Sequence, residues 1–295
     1  MKYYNAVKVN DLIFSVDMIR FKFELSEYLQ KQLYIIIKQI QTYDYFNSYN
    51  NFHYRELFKI KTSDLKQSFS LGLGFNGLKN SEKNLCFLEF NPNKLYDSLE
   101  LNKILCFLNN YGIDLELVLY DLAVDIPYNK KFVSILKDKR VYKKFCYDQQ
   151  GVNCTEYLGQ AADSGRVKLY NKTIESNLDY ELTRLELTTK CTDFDIVHKQ
   201  LPALLVLQNF DLMSSIKLSK SDYVLLQLLW QSDDPNYYYK MLGRDKQQKL
   251  KPFVNSNFSL SFSQAIFDKL FDGIKFFKGV KYEIQKKDIQ DSIFC

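Results

Sequence analysis

The chain holds two histidines, His53 and His198, and no His-x-His triplet. That scarcity argues against a zinc site built on histidines with a neighbouring cysteine. Six cysteines (86, 106, 146, 154, 191 and 295) stand at wide, irregular spacing without a C-x-x-C pair. They read as buried or incidental thiols, not as a metal cluster or a disulfide framework. No apolar run approaches the roughly 18 residues of a membrane span. The start, "MKYYNAVKVNDLIF", lacks the apolar core and small-residue cleavage site of a signal peptide. The expectation is a cytoplasmic protein with no membrane partner. No internal repeat or low-complexity stretch stands out.

What is present is an ordinary globular composition. The 295 residues are 46% hydrophobic and 25% charged, enough for two domains or one large one. Tyr and Phe are abundant, but so are Asn, Lys and Ile, a bias that an AT-rich genome imposes. Residues 196–295 carry 14 Lys and Arg against 10 Asp and Glu, most of the net charge of +5. The densest cluster is "KKFVSILKDKRVYKK", with Lys130, Lys131, Lys137, Lys139, Arg140, Lys143 and Lys144. It reads as a phosphate-contacting surface or as a solvated helix face.

Periodicity sets the organisation. "MIRFKFEL" alternates as a strand, and "SEYLQKQLYIIIKQIQTY" has helical spacing. "LKQSFSLGLGFNG" and "KNLCFLEFNPNKL" alternate across a polar loop as a hairpin. "SLELNKILCFLNNYG" is an amphipathic helix ending on Gly112. "DLELVLYDLAVDIP" is a strand stopped by Pro127, and the basic segment after it reads as a helix. "NCTEYLG", "GRVKLYNK" and "YELTRLELTT" are three successive strands. From about residue 192, "IVHKQLPALLVLQNF", "SKSDYVLLQLLWQ", "PNYYYKMLGRDKQQKLKPFV" and "SFSQAIFDKLFDGIKFF" are all helical in spacing. The expected fold is therefore α+β, a mostly antiparallel sheet with flanking helices over 1–195, followed by a basic helical part over 196–295. Whether those last helices form a winged-helix domain stays open.

"GLGFNG" matches the dinucleotide fingerprint in letters only. A polar loop and another strand follow where that fingerprint needs a helix N-terminus. The glycines read as part of a twisted or bulged hairpin.

The candidate chemistry lies on three strands. Asp121 and Asp125 share one face of theirs, which suits an oxygen-rich Mg²⁺ or Mn²⁺ site or a merely wet face. Arg184 and Glu186 share a face of "ELTRLEL", as a cross-strand pair would. Arg166, Lys168, Tyr170 and Lys172 share a face of "GRVKLYNK". Neighbouring strands would bring Asp121, Asp125, Tyr170 and Glu186 onto one face. A tyrosine nucleophile, carboxylates and cations together are the parts needed to cut one DNA strand and retain it as a phosphotyrosine.

"FLEFNPNKL", "YDLAVDIP", "TEYLG", "GRVKLYNK" and "LTRLEL" occur in an order and spacing that resembles the rolling-circle-type replication initiation factors of plasmids, phages and conjugative elements, and related relaxases. The resemblance is diffuse over residues 15–190 and densest from 85 to 190. It implies recognition of double-stranded origin DNA, metal-dependent nicking through a tyrosine, retention of the nicked single strand and action as a homodimer, whereas a host helicase would be the partner of an initiator that binds without cutting. By that resemblance Asp121, Asp125 and Glu186 would be metal ligands, Tyr170 the nucleophile and Tyr157 its alternative. The basic cluster with Arg166, Lys168, Lys172 and Arg184 would contact DNA. Many members carry a Tyr-Arg pair where this chain has Val167 and Lys168. That departure keeps a non-catalytic, origin-binding initiator in view. A metal-dependent phosphoesterase and a structural protein are the remaining classes.

Overall fold

A computed structural model describes residues 6–40, 43–47, 54–75, 84–130, 133–136, 138–140, 142–148, 154–160, 164–206, 218–232, 235–254, 257–258 and 260–279. It is an α+β structure whose paired strands run antiparallel. The chain divides into two compact units, residues 1–5, 16–120 and 268–295, and residues 6–15 and 121–267.

Strand β1 (Ala6–Val9) pairs with the start of β2 (Leu12–Glu24), which alternates so that Ile19, Phe21 and Phe23 are buried. Helix α1 (Glu27–Gln39) begins where Ser26 Oγ accepts the Leu29 N–H at 3.3 Å, and it buries Leu33 and Ile37. Strands β3 (Tyr43–Asn47), β4 (Tyr54–Lys61), β5 (Ser68–Phe75) and β6 (Leu85–Phe90) complete the sheet of the first unit. Its order is β3-β4-β5-β6-β2. Tyr45, Phe58, Leu71, Leu88 and Phe21 stand in one register row across it, and the last four of them are fully buried in the core. Helix α2 (Leu99–Asn110) starts on the Ser98 cap, and Gly112 at φ +66° ends the turn that follows it.

The hairpin reading of the glycines holds where residues are described. Phe87 lies so close to Gly72 that a Cβ there would meet its ring at 2.2 Å, and Gly74 takes φ +65° beneath Arg55. Gly77 lies outside the described residues.

In the second unit, the end of β7 (Glu116–Ile126) leads a sheet ordered β7-β12-β11-β10-β9. The segment expected as a basic helix instead forms the short strands β8 (Val133–Ile135) and β9 (Lys143–Tyr147). Its apolar residues Val133, Ile135 and Leu136 are buried as a strand would bury them. Strands β10 (Cys154–Leu158) and β11 (Arg166–Asn171) follow, then the single turn α3 (Lys172–Glu175) and β12 (Thr183–Thr189).

The helical reading of "IVHKQLPALLVLQNF" is corrected too. Helix α4 (Phe194–Gln200) stops before Pro202, and β13 (Leu204–Val206) pairs with β8. Helices α5 (Lys220–Gln231), α6 (Pro235–Met241) and α7 (Arg244–Val254) share a core of Leu136, Leu226, Leu229, Leu250 and Phe253. Strand β14 (Asn257–Phe258) closes a small sheet with β13 and β8, and α8 (Gln264–Gly279) ends the described chain. Among the described residues no helix is long and apolar enough to cross a membrane.

Candidate nucleic-acid interface

Antiparallel pairing puts several of the sequence candidates of the second unit on one face. Lys144 pairs with Tyr157, Tyr157 with Lys168, and Lys168 with Glu186, so these four form a row across β9, β10, β11 and β12. Arg166 and Tyr170 flank Lys168 on the same face of β11. Asp121 accepts a 2.6 Å hydrogen bond from the Thr188 hydroxyl, and Asp125 meets Arg184, which brings both aspartates beside that row.

The two tyrosines have different surroundings. Tyr170 is buried, and its hydroxyl donates to Glu186 Oε1 at 2.6 Å. Lys168 Nζ lies 3.8 Å from its ring centroid and 3.4 Å from Glu186 Oε2. Burial, then the charge and hydrogen bond of Glu186, raise the Tyr170 pKa above its ordinary value near 10, and Arg184 only opposes them. Desolvation and the adjacent carboxylate outweigh the nearby cations, which alone would ease formation of its phenolate.

Tyr157 is half-buried, and the Arg166 guanidinium stacks 4.5 Å from its ring centroid. Arg166 Nε is buried without a hydrogen-bond partner, and the side chain forms no ion pair among the described residues. Lys144 is exposed and equally unpaired among them. Free donors therefore converge around Tyr157, whereas Tyr170 is sealed.

The carboxylates do not form a metal cage. Arg184 grips Asp125 through two hydrogen bonds, Nε to Oδ1 at 2.6 Å and Nη2 to Oδ2 at 2.7 Å, with both side chains almost fully buried. Glu186 is taken by Tyr170 and Lys168, and Asp121 by Thr188. Among the described residues no group of three His, Cys, Asp or Glu could hold a metal ion. The donor set implied for Mg²⁺ or Mn²⁺ does not fit this arrangement, because the guanidinium already occupies both Asp125 oxygens.

The remaining basic candidates divide sharply. Lys130 and Lys143 turn inward to the buried Glu156, at 2.7 and 3.5 Å. Lys130 also donates to the Val133 carbonyl and Lys143 to that of Ile135. Arg140 ties Asp138 to the carbonyls of Gly165 and Gln200. Lys172 is buried against Glu175. Lys139 is exposed, while Lys131 and Lys137 lie outside the described residues. Sequence reasoning missed Glu156. Its odd parity to Tyr157 in "TEYLG" was the signal, since it places a carboxylate on the core side, where a cation must meet it.

A second basic surface lies on α7. Its inner side is pinned: Lys246 pairs with Asp222, and Gln247 Nε2 donates to the carbonyls of Lys240 and Leu242 at 3.0 and 2.7 Å. Its outer side presents Arg244, Gln248 and Lys251, one face at helical spacing. All three are exposed and form no hydrogen bond or ion pair with the described residues.

No protein-family model matches the chain, and no curated protein matches it. Among solved structures, the chain is similar to a rolling circle replication initiator protein from Geobacillus stearothermophilus. The identity is 13%, the TM-score 0.39, and the match covers 89% of this chain and 96% of the other.

Proposed function

We propose that this protein initiates DNA replication, holding origin duplex on the outer side of α7 and handling the cut strand on the sheet face around Tyr157. The observation that carries the reading is the stack of a partnerless arginine, Arg166, on a half-exposed tyrosine that lies in register between Lys144 and Lys168. In the cut, the Tyr157 oxygen bonds to the phosphorus as the bond to the 3′ oxygen breaks. The phenol proton ends on that released 3′ hydroxyl, and a phosphotyrosine remains. Arg166 offers a fork of donors to the phosphate, and the two lysines offset its growing charge. No step runs through a metal.

The engagement of Asp125 by Arg184 favours a second reading, an initiator that binds the origin without cutting it. One assay separates the two. The protein is incubated with supercoiled origin plasmid, with and without Mg²⁺ or Mn²⁺, and relaxed circles carrying covalent protein are sought. An adduct that mass spectrometry maps to Tyr157 and that Tyr157→Phe abolishes supports the cutting reading. Specific binding with no adduct supports the second. No origin preference would remove both.

A further inference from the structure

We propose that Tyr142 is a stacking seat for an unpaired base of the DNA strand, one nucleotide step from the Tyr157 hydroxyl. The seat rests on the reading that the Tyr157 face handles the cut strand, and it adds the form of strand that this face accepts.

The ladder between β9 and β10 continues one step past the pair of Lys143 and Leu158, because the Gly159 N–H donates to the Tyr142 carbonyl at 2.9 Å. Tyr142 therefore stands opposite Gly159 and two residues before Lys144, on the face that carries Tyr157. Gly159 in turn faces Arg166. Leu158 pairs with Val167, and a Cβ on Gly159 would meet the Arg166 Cα at 3.3 Å. At φ +89° the position favours glycine, and it leaves no side chain between Tyr142 and Arg166. The face is notched there, with Tyr142 on one side, Arg166 on the other and Tyr157 at the diagonal.

Tyr142 is 45% exposed. Among the described residues its ring meets no aromatic ring or cation, and its hydroxyl has no hydrogen-bond partner. The other two tyrosines of this face are engaged: Arg166 covers the Tyr157 ring, and Tyr170 is sealed against Glu186. A free aromatic face beside unpaired cations is what holds single strands, whose bases stack on rings while cations track the phosphates. Arg166 and Lys144, without ion pairs among the described residues, supply the cations on either side of Tyr157. Tyr142 and Tyr157 are diagonal neighbours across the β9–β10 ladder, roughly 7–8 Å apart at Cα, a spacing that aromatic side chains reach across. That diagonal suits a base on Tyr142 with the adjoining phosphate at the Tyr157 hydroxyl. A base inside a duplex has both faces covered by its stacked neighbours, so the seat takes unpaired strand alone.

Fluorescence anisotropy on the full-length protein tests this with three labelled probes: an oligothymidylate, an abasic strand of the same length and a duplex of that length. Tyr142→Ala should weaken the oligothymidylate about tenfold and leave the abasic strand and the duplex unchanged. Tyr142→Phe should bind like the wild type, because the ring stacks and the hydroxyl does not. An unchanged oligothymidylate affinity in Tyr142→Ala, an equal loss with the abasic strand, or an equal loss in Tyr142→Phe would overturn the proposal. Arg166→Ala separates the seat from the reading beneath it, since a lost phosphate contact should weaken the oligothymidylate and the abasic strand alike. If Arg166→Ala weakens neither, the reading of the Tyr157 face falls and the seat falls with it. If Arg166→Ala weakens both and Tyr142→Ala weakens neither, the seat alone falls.

Discussion

The Tyr170 hydroxyl donates a hydrogen bond to Glu186 across the β11–β12 pair at 2.6 Å, diagonal to the register pair Lys168 and Glu186. The phenol is buried and faces a carboxylate, so ionising it would set two anions side by side in a dry site.

The first prediction follows from that contact. Tyr170 holds its proton in the folded state at pH values where an unfolded tyrosine loses it. A raised folded pKa contributes stability fully below the unfolded value near 10, and the contribution is lost as pH rises beyond it. Urea midpoints measured upward from neutral pH should therefore fall above about pH 10, and less steeply in Tyr170→Phe. At neutral pH that variant should lose about 1.5–3 kcal/mol, the value of a buried hydrogen bond to a charged group. Any covalent DNA adduct should survive it.

A second prediction concerns Asp125. Its carboxylate is buried against a buried guanidinium, so removing one partner strands a charge. Asp125→Asn should cost about 3–5 kcal/mol in urea denaturation. Replacing the pair together, Asp125→Leu with Arg184→Met, should recover much of that loss. Asp121→Asn should cost about 1 kcal/mol, because Asp121 is half-exposed and the Thr188 hydroxyl can still bond an amide. If Asp125→Asn were as mild as Asp121→Asn, the pair would not be a structural clasp.

Much of this was legible in the residues. Period-two alternation located β2, β5, β6, β7, β10, β11 and β12, because apolar side chains recur at every second position along them. It also brought Asp121, Asp125, Tyr170 and Glu186 to one face. Strand β4 went unread although "YRELFKIK" alternates, since neighbouring polar residues hide a short run. The basic segment misled because seven cations mask Val133, Ile135 and Leu136, whose burial decides the local structure. Which cations stay free could not be read from the sequence. Lys143 and Lys144 are adjacent, and strand parity sends one to Glu156 and the other to solvent.

That parity gives the last prediction. A cation contributes to the salt dependence of DNA binding only if it is free to displace a counterion, and a cation that neutralises Glu156 is not. Lys144, Arg166, Arg244 and Lys251 together should give a log–log slope near −3.6 for duplex DNA, about 0.9 per phosphate, with Lys168 left out because it pairs with Glu186. Arg166→Ala and Arg244→Ala should each flatten it by about 0.9. Lys130→Met and Lys143→Met should leave the slope unchanged. Lys130→Met should instead destabilise the fold by about 3 kcal/mol, because Glu156 would lose its 2.7 Å partner inside the structure. Fluorescence anisotropy across a salt series, with urea melts of the same variants, reads both quantities. A slope that fell for Lys130→Met and held for Arg166→Ala would mean that the basic segment touches DNA and the Tyr157 face does not.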